Sequence, residues 1–194
     1  MRYLLFLSLC ILTSCIGKKL QPADLLFHVS PTENAITSVT EGMVDHVAIV
    51  LSKDSVIEAI SKGVVKSPIS SLLLQDGYYI HARIKGSLDK KATLSKACGQ
   101  IGKPYDVLYL ADNDSIYCTE LVQISYTDKQ GKNIFKPVPM SFHNESGQIT
   151  SYWRNFYKQY GMEVPEGLPG TNPNEMIHRE NIRQLGKYTK QKEK

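Results

Sequence analysis

Cysteine is scarce here: the chain has 4 in 194 residues, too few for a disulfide framework to hold a domain of this length. Neither sign of charge dominates. Lys and Arg total 23 against 19 Asp and Glu, a net charge of +4. The basic excess gathers only at the end, in Lys187, Lys190, Lys192 and Lys194, and reads as a solvated tail. No nucleic-acid partner is expected from so weak a field. With 13 Gly and 9 Pro the chain is neither collagen-like nor of low complexity, and it contains no internal repeat. Its histidines and cysteines lack metal-ligand spacing, so no metal and no cofactor are expected. What is present is an ordinary globular composition, 42% hydrophobic and 22% charged, at a length that suits one domain and excludes intrinsic disorder.

One long apolar run exists, at the start. Met1-Arg2 is followed by Tyr3 to Leu12, almost unbroken in apolar residues. It is too short to span a bilayer, which takes about 20 residues. One positive charge, a short apolar core and small residues form the layout of a secretory signal. The run ends Leu12-Thr13-Ser14-Cys15, which resembles a bacterial lipobox. The expectation is a signal peptide over 1–14, a lipidated Cys15 with a short tether over 15–19, a domain over 20–185 and a basic tail over 186–194. The protein would then be anchored to a membrane of the bacterial envelope rather than spanning it. Cys10 is lost with the signal and Cys15 carries the lipid, which leaves Cys98 and Cys118. Either they pair, or one is a nucleophile and the other a small buried hydrophobe.

The mature chain opens with a strand over 23–29 and a loop over 30–42. His46–Leu51 and Ser55–Ile60 flank the turn signal Ser52-Lys53-Asp54 and read as an antiparallel hairpin. Further strands are expected at 63–66 and 78–84, with a short helix over 69–74 between them. Ser87 reads as the N-cap of a helix that places Ala97 and Cys98 on an apolar stripe and ends at Gly102 and Pro104. A second helix is expected from Tyr117 to about Tyr126, an aromatic helix around Tyr152–Tyr160, and a last helix over 175–185. Without a regular alternation of strand and helix, the fold class is α+β.

Cys118 follows a Ser/Asp cluster at a predicted helix start. There the helix dipole and free N–H groups favour a thiolate, and the same N–H groups can hold an oxyanion. Cys98, mid-helix, reads as inert packing. A nucleophilic thiol needs a base. His46 starts a strand whose hairpin partner carries Glu58, and pairing across the turn brings residues 58–60 opposite 46–48. Glu58 can then orient the imidazole and stabilise its charge. His28 and His81 also sit in strands, without a carboxylate in comparable hairpin geometry. His143 and His178 read as surface residues.

Asp45-His46-Val47-Ala48-Ile49-Val50 with Val56-Ile57-Glu58-Ala59, then Gly102-Lys103-Pro104-Tyr105-Asp106, then Tyr117-Cys118-Thr119-Glu120-Leu121-Val122 resemble the permuted papain-like amidases, the YiiX/YebB-like group of the NlpC cell-wall peptidase superfamily. Pro22 to Phe27 resembles that group's opening segment, with Ala23 where glycine is usual. The order His before Cys matches the permuted group. The resemblance implies a papain-like, circularly permuted fold: a small antiparallel, partly barrel-like sheet against the Cys-bearing helix. It implies Cys118 as nucleophile, His46 as base and Glu58 as the orienting third residue. Tyr105, Tyr117 and Thr119 are candidates for oxyanion or pocket residues. The implied chemistry is hydrolysis of a peptide or N-acyl amide through a thioester, on a peptide, peptidoglycan-derived or acyl-amide substrate. Two alternatives stay open: a lipid acyl hydrolase or acyltransferase on the same triad, favoured by an apolar pocket, and a binding module with a Cys98–Cys118 disulfide.

Overall fold

The computed structural model describes residues 19–111 and 113–188. The expected signal segment, Cys15 and the end of the basic tail lie outside the described residues. In chain order the elements are β1 (Leu25–Val29), β2 (Val44–Val50), β3 (Ser55–Ile60), β4 (Gly63–Pro68), α1 (Ile69–Leu72), β5 (Tyr78–Ile84), α2 (Lys90–Cys98), α3 (Cys118–Ser125), β6 (Val138–Pro139), α4 (Ser151–Gln159), β7 (Pro169–Gly170), α5 (Pro173–Ile177) and β8 (Ile182–Tyr188).

Six strands form one antiparallel sheet in the order β4-β3-β2-β1-β5-β8, and β6 pairs β7 separately. The sheet is open: β4 and β8 are its two edges, so the partly barrel-like closure expected from the sequence does not occur. The central strands are nearly continuous apolar runs because both faces are covered. On one face Leu25, Phe27, Val47, Ile49 and Ile57 pack against Leu121 and Val122 of α3. On the other, Leu26, Ala48, Val50 and Val56 pack against Ile69 and Leu72. A third cluster gathers Met140, Phe142, Trp153 and Tyr157 around α4.

Beside these cores lies a buried ionic knot. Asp24, 1% exposed, accepts from His81 Nε2 at 2.7 Å and from Arg83 Nε at 2.6 Å. Burial alone would push the Asp24 carboxyl up, but Arg83 and then His81 hold it below the usual carboxylate range. Ala23 next to it adopts φ +66°, the left-handed region that glycine enters without strain. The turn is therefore kept despite the Cβ, and it is held by Tyr126 Oη donating to the Ala23 carbonyl at 3.1 Å.

Several sequence expectations need correction. Helix α2 is capped by Asp89, whose side chain accepts from Ala92 N, rather than by Ser87, and it stops at Cys98 with Gly99 as C-cap. Cys98 is consequently exposed instead of packed. The expected last helix is only the single turn α5. The chain then extends as β8 and pairs with β5, Tyr79 opposite Tyr188, so the tail boundary at 186 falls inside a strand. Cys98 and Cys118 are both free thiols, which removes the disulfide-bonded alternative.

Candidate active site

Strand β2 carries His46 and β3 carries Glu58. The two strands pair at Ile49↔Ile57 and Val50↔Val56, the register the hairpin reading required. Beyond those pairs the side chains complete the link: His46 Nε2 lies 2.8 Å from Glu58 Oε2. The His46 side chain is 16% exposed and that of Glu58 only 4%. Asn174 of α5 pins the start of β2, accepting from Val44 N at 2.8 Å and donating to the Val44 carbonyl at 2.8 Å. A β-bulge between β1 and β2 pairs His28 with His46 but Val29 with Val44, leaving Asp45 as the extra residue.

Cys118 is the first residue of α3, after the N-cap Tyr117. Its backbone N–H belongs to the first turn, where no intrahelical acceptor exists. The Glu120 carboxylate accepts the Tyr117 N–H at 3.3 Å and squares off the helix start. The thiol shares a hydrogen bond with His46. Because Glu58 occupies Nε2, the nitrogen facing the sulfur is Nδ1. Burial works against a charged imidazole, but the hydrogen bonds to Cys118 and then Glu58 overcome it and raise His46 from 6.5 to about 10. The Glu58 carboxyl moves the other way: burial would raise it, and His46 followed by Ser67 holds it low. His46 therefore carries a proton through the neutral range, oriented by Glu58 and aimed at the sulfur.

The three residues singled out in the sequence thus meet in space. Tyr105, Tyr117 and Thr119 all line the pocket that opens on Cys118. Two of them are also structural ties. Tyr117 Oη accepts the Thr171 N–H at 3.0 Å, and Thr119 Oγ1 donates to the Thr171 carbonyl at 3.1 Å. Those hydroxyls fasten the loop before α5 to the helix that Cys118 opens. Burial, then the charge of Cys118, pushes the Tyr105 phenol up. The pocket wall is largely apolar, made by Tyr105, Tyr109, Tyr117, Met140, Phe142 and Trp153, and encloses about 530 Å³ including its open mouth. A second, wider and more polar cavity adjoins it through Thr40, Ser141 and Asn172, and is bordered by Glu41, Glu175, His178 and Arg179.

Sequence reasoning missed some of the surroundings. His28 has a carboxylate after all: Nδ1 lies 2.6 Å from Asp45 Oδ1, and Nε2 lies 2.7 Å from the Asp76 carbonyl. His81 likewise has Asp24. Neither partner is a hairpin neighbour, since His28–Asp45 depends on the bulge and His81–Asp24 on adjacent strands. Tyr109 was not singled out at all. It lines the pocket with φ +54°, a conformation that costs a residue with a Cβ about 1–2 kcal/mol. A φ value leaves no mark in a sequence. His178 is exposed and His143 half-buried, with His143 Nδ1 3.1 Å from Glu166. Among the described residues no group of three or more His, Cys, Asp or Glu is placed to hold a metal ion.

A cysteine at a helix start, an imidazole on its sulfur and a carboxylate behind the imidazole is an arrangement suited to nucleophilic acyl transfer. Comparison with known proteins agrees with that reading. The protein YiiX of Escherichia coli strain K12, described as uncharacterized, is 26% identical over 174 residues, 84% of either chain. The crystal structure of yiiX from Escherichia coli O157:H7, described as a metalloprotein, superposes with a TM-score of 0.73 at 21% identity, over 88% of this chain and 99% of that one. That likeness establishes the shared fold. The model of the permuted papain-like amidase family, YaeF/YiiX, C92, matches residues 19–186, and the chain belongs to that family.

Proposed function

We propose that the protein is a cysteine hydrolase that cleaves an amide joining an apolar acyl group to a polar amine. The observation that carries the reading is the position of Cys118. It touches His46 on one side and opens on an aromatic-walled pocket on the other. The apolar wall suits an acyl chain, and the adjoining polar cavity suits the amine side of the scissile bond.

The chemistry follows from the geometry. The Cys118 sulfur attacks the amide carbon and the carbonyl oxygen takes the electron pair, beside the Cys118 N–H. The tetrahedral centre collapses to a thioester as His46 gives its proton to the departing nitrogen. Water then enters, His46 takes a proton from it, and the thioester opens to the carboxylic acid and free thiol. Glu58 keeps the imidazole aligned throughout and stabilises its charge whenever it holds the proton. The structural neighbour is described as a metalloprotein, and among the described residues of this chain no group of three or more His, Cys, Asp or Glu is placed to hold a metal ion. The Leu12-Thr13-Ser14-Cys15 segment supports a lipid-anchored enzyme of the bacterial envelope.

The same pocket favours a second reading, in which the acyl group comes from an ester and passes to water or another acceptor. One experiment addresses both. Medium-chain N-acyl amides, the matching esters and short polar peptides are each incubated with the enzyme, quenched in acid and weighed as intact protein. The expected result is an acyl adduct on Cys118 from the apolar amides, with turnover, and none in Cys118→Ala. Adduct only from esters favours the second reading. Turnover only of polar peptides, or turnover that survives Cys118→Ala, refutes the proposal.

A further inference from the structure

Helix α4 has two aromatic faces. Trp153 and Tyr157 are buried, and Trp153 forms part of the wall of the Cys118 pocket. Along the outer side run Tyr152, Phe156 and Tyr160, each four residues from the next and so one above the other. Tyr152 is 54% exposed and Tyr160 50%, with Phe156 half-buried between them. The rings make one ridge: Tyr152 and Phe156 stack at 6.3 Å, and Phe156 meets Tyr160 at 5.3 Å. Tyr152 also stands edge-on to Trp153 at 5.1 Å, so the ridge is continuous with the pocket wall. A row of aromatic rings left this open to water marks a surface that a partner covers.

Charge and size decide which partner. From 146 to 162 the chain contains no acidic residue, and Arg154 and Lys158 are both exposed on α4. Arg154 is held in place by Nε and Nη2 donating to the Ile149 carbonyl at 3.0 and 2.7 Å, and a guanidinium so held has N–H groups to spare for a phosphate. The exposed part of the three rings amounts to roughly 250 Å², far below the ~800 Å² per partner of a stable protein interface. A lipid surface needs no such footprint. A helix with aromatic side chains and flanking bases lies in the headgroup layer, where a tyrosine ring meets the acyl chains and its hydroxyl stays wet.

We propose that the outer face of α4 docks on an anionic lipid bilayer. Tyr152, Phe156 and Tyr160 enter the boundary between headgroups and acyl chains, and Arg154 and Lys158 pair with the phosphates. Docking sets Trp153, and with it the apolar wall of the pocket, next to the lipid surface. The acyl group of a membrane-resident amide then reaches Cys118 without crossing water. That last consequence rests on the acyl-transfer reading of Cys118; the docking itself does not.

Trp153 is the single tryptophan of the chain, so its emission reports on α4 alone. The full chain is mixed with phosphatidylglycerol vesicles that carry a nitroxide on a fraction of the headgroups, and with matching phosphatidylcholine vesicles. A quencher at the headgroup responds to docking whether or not an acyl chain enters the pocket, and comparison of variants separates docking from any anchoring through Cys15. Strong quenching is expected on phosphatidylglycerol, falling at least about threefold in Tyr152→Ser/Tyr160→Ser. Tyr152→Phe/Tyr160→Phe keeps the rings and should stay within about twofold of wild type, which distinguishes loss of the ridge from loss of structure. Arg154→Gln/Lys158→Gln should bring quenching on phosphatidylglycerol down to the phosphatidylcholine level. Absence of quenching on phosphatidylglycerol, or equal quenching in wild type and the serine pair, overturns the inference. So does a dimer in solution that the serine pair dissociates, because a second copy then covers the ridge. Where docking holds but Cys118 takes no acyl group from a vesicle-borne N-acyl amide, the proposed function falls and the docking surface stands.

Discussion

Replacing Glu58 by glutamine keeps the shape of the side chain and takes its charge away from His46. The carboxylate is 2.8 Å from Nε2 and its side chain is 4% exposed, so water does little to screen the contact. A buried charge-assisted hydrogen bond of this kind is worth about 2–4 kcal/mol, or roughly 30- to 1000-fold in rate. The pH behaviour has a definite sign. His46 is raised from 6.5 to about 10, so it contributes stability in full below about 6.5 and loses it as pH climbs towards 10. Glu58 is held low, so its contribution is present above the ordinary carboxylate range and fades only as pH falls through its depressed value. In Glu58→Gln the imidazolium loses one of its two partners, and His46 gives up its proton at lower pH. The assay is the rate of Cys118 alkylation by iodoacetamide across the pH range, with the exposed Cys98 as an internal reference for the reagent. The wild-type profile should show a broad plateau on which Cys118 outpaces Cys98 at mildly acidic pH. The plateau should narrow from both sides in the variant. An unchanged profile with an unchanged melting temperature would remove Glu58 from the site and leave a Cys–His dyad. Labelling of Cys98 ahead of Cys118 at mildly acidic pH would refute the nucleophile assignment itself.

Two further outcomes follow from features away from the thiol. Asp24→Asn leaves Arg83 and His81 without their buried counter-charge and should destabilise the fold by about 3–5 kcal/mol, read as a lower melting temperature in calorimetry; a loss below about 1 kcal/mol would mean that the knot is dispensable. Cys15→Ala should move the protein from the membrane fraction to the soluble fraction of a bacterial host, and a variant held as firmly as wild type would refute the lipobox reading.

The elements of the candidate site were legible because each is set by local chemistry. A turn signal between two apolar runs fixes a hairpin, and the hairpin places Glu58 near His46. A helix start is marked by the residues around it, so Cys118 stood out. The cap of α2 was displaced because Ser87 and Asp89 are both good N-caps, and only packing chooses between them. That shift ends the helix at Cys98 and turns an expected core thiol into an exposed one. The segment after Glu175 failed for a different reason. An asparagine cap before Glu175 suggests a helix, yet the open edge of β5 offers a full ladder of hydrogen bonds, and tertiary pairing overrides the local preference. The ion pairs of His28 and His81, and the strained Tyr109, depend on a bulge, on neighbouring strands and on a backbone angle. None of these has a signature along the chain.

The position of β8 also has a consequence in time. This strand completes the sheet from the far end of the chain, pairing residues 182–188 with residues 79–84. His46 and Glu58 leave the ribosome well before Cys118, and the last strand leaves after all three. Pairings this distant in sequence are slow to form. Cys118 is made after His46 and Glu58, and β8, which pairs with β5 at the sheet edge, is made last. Completion of the sheet edge by β8 is therefore the last strand pairing the chain can make.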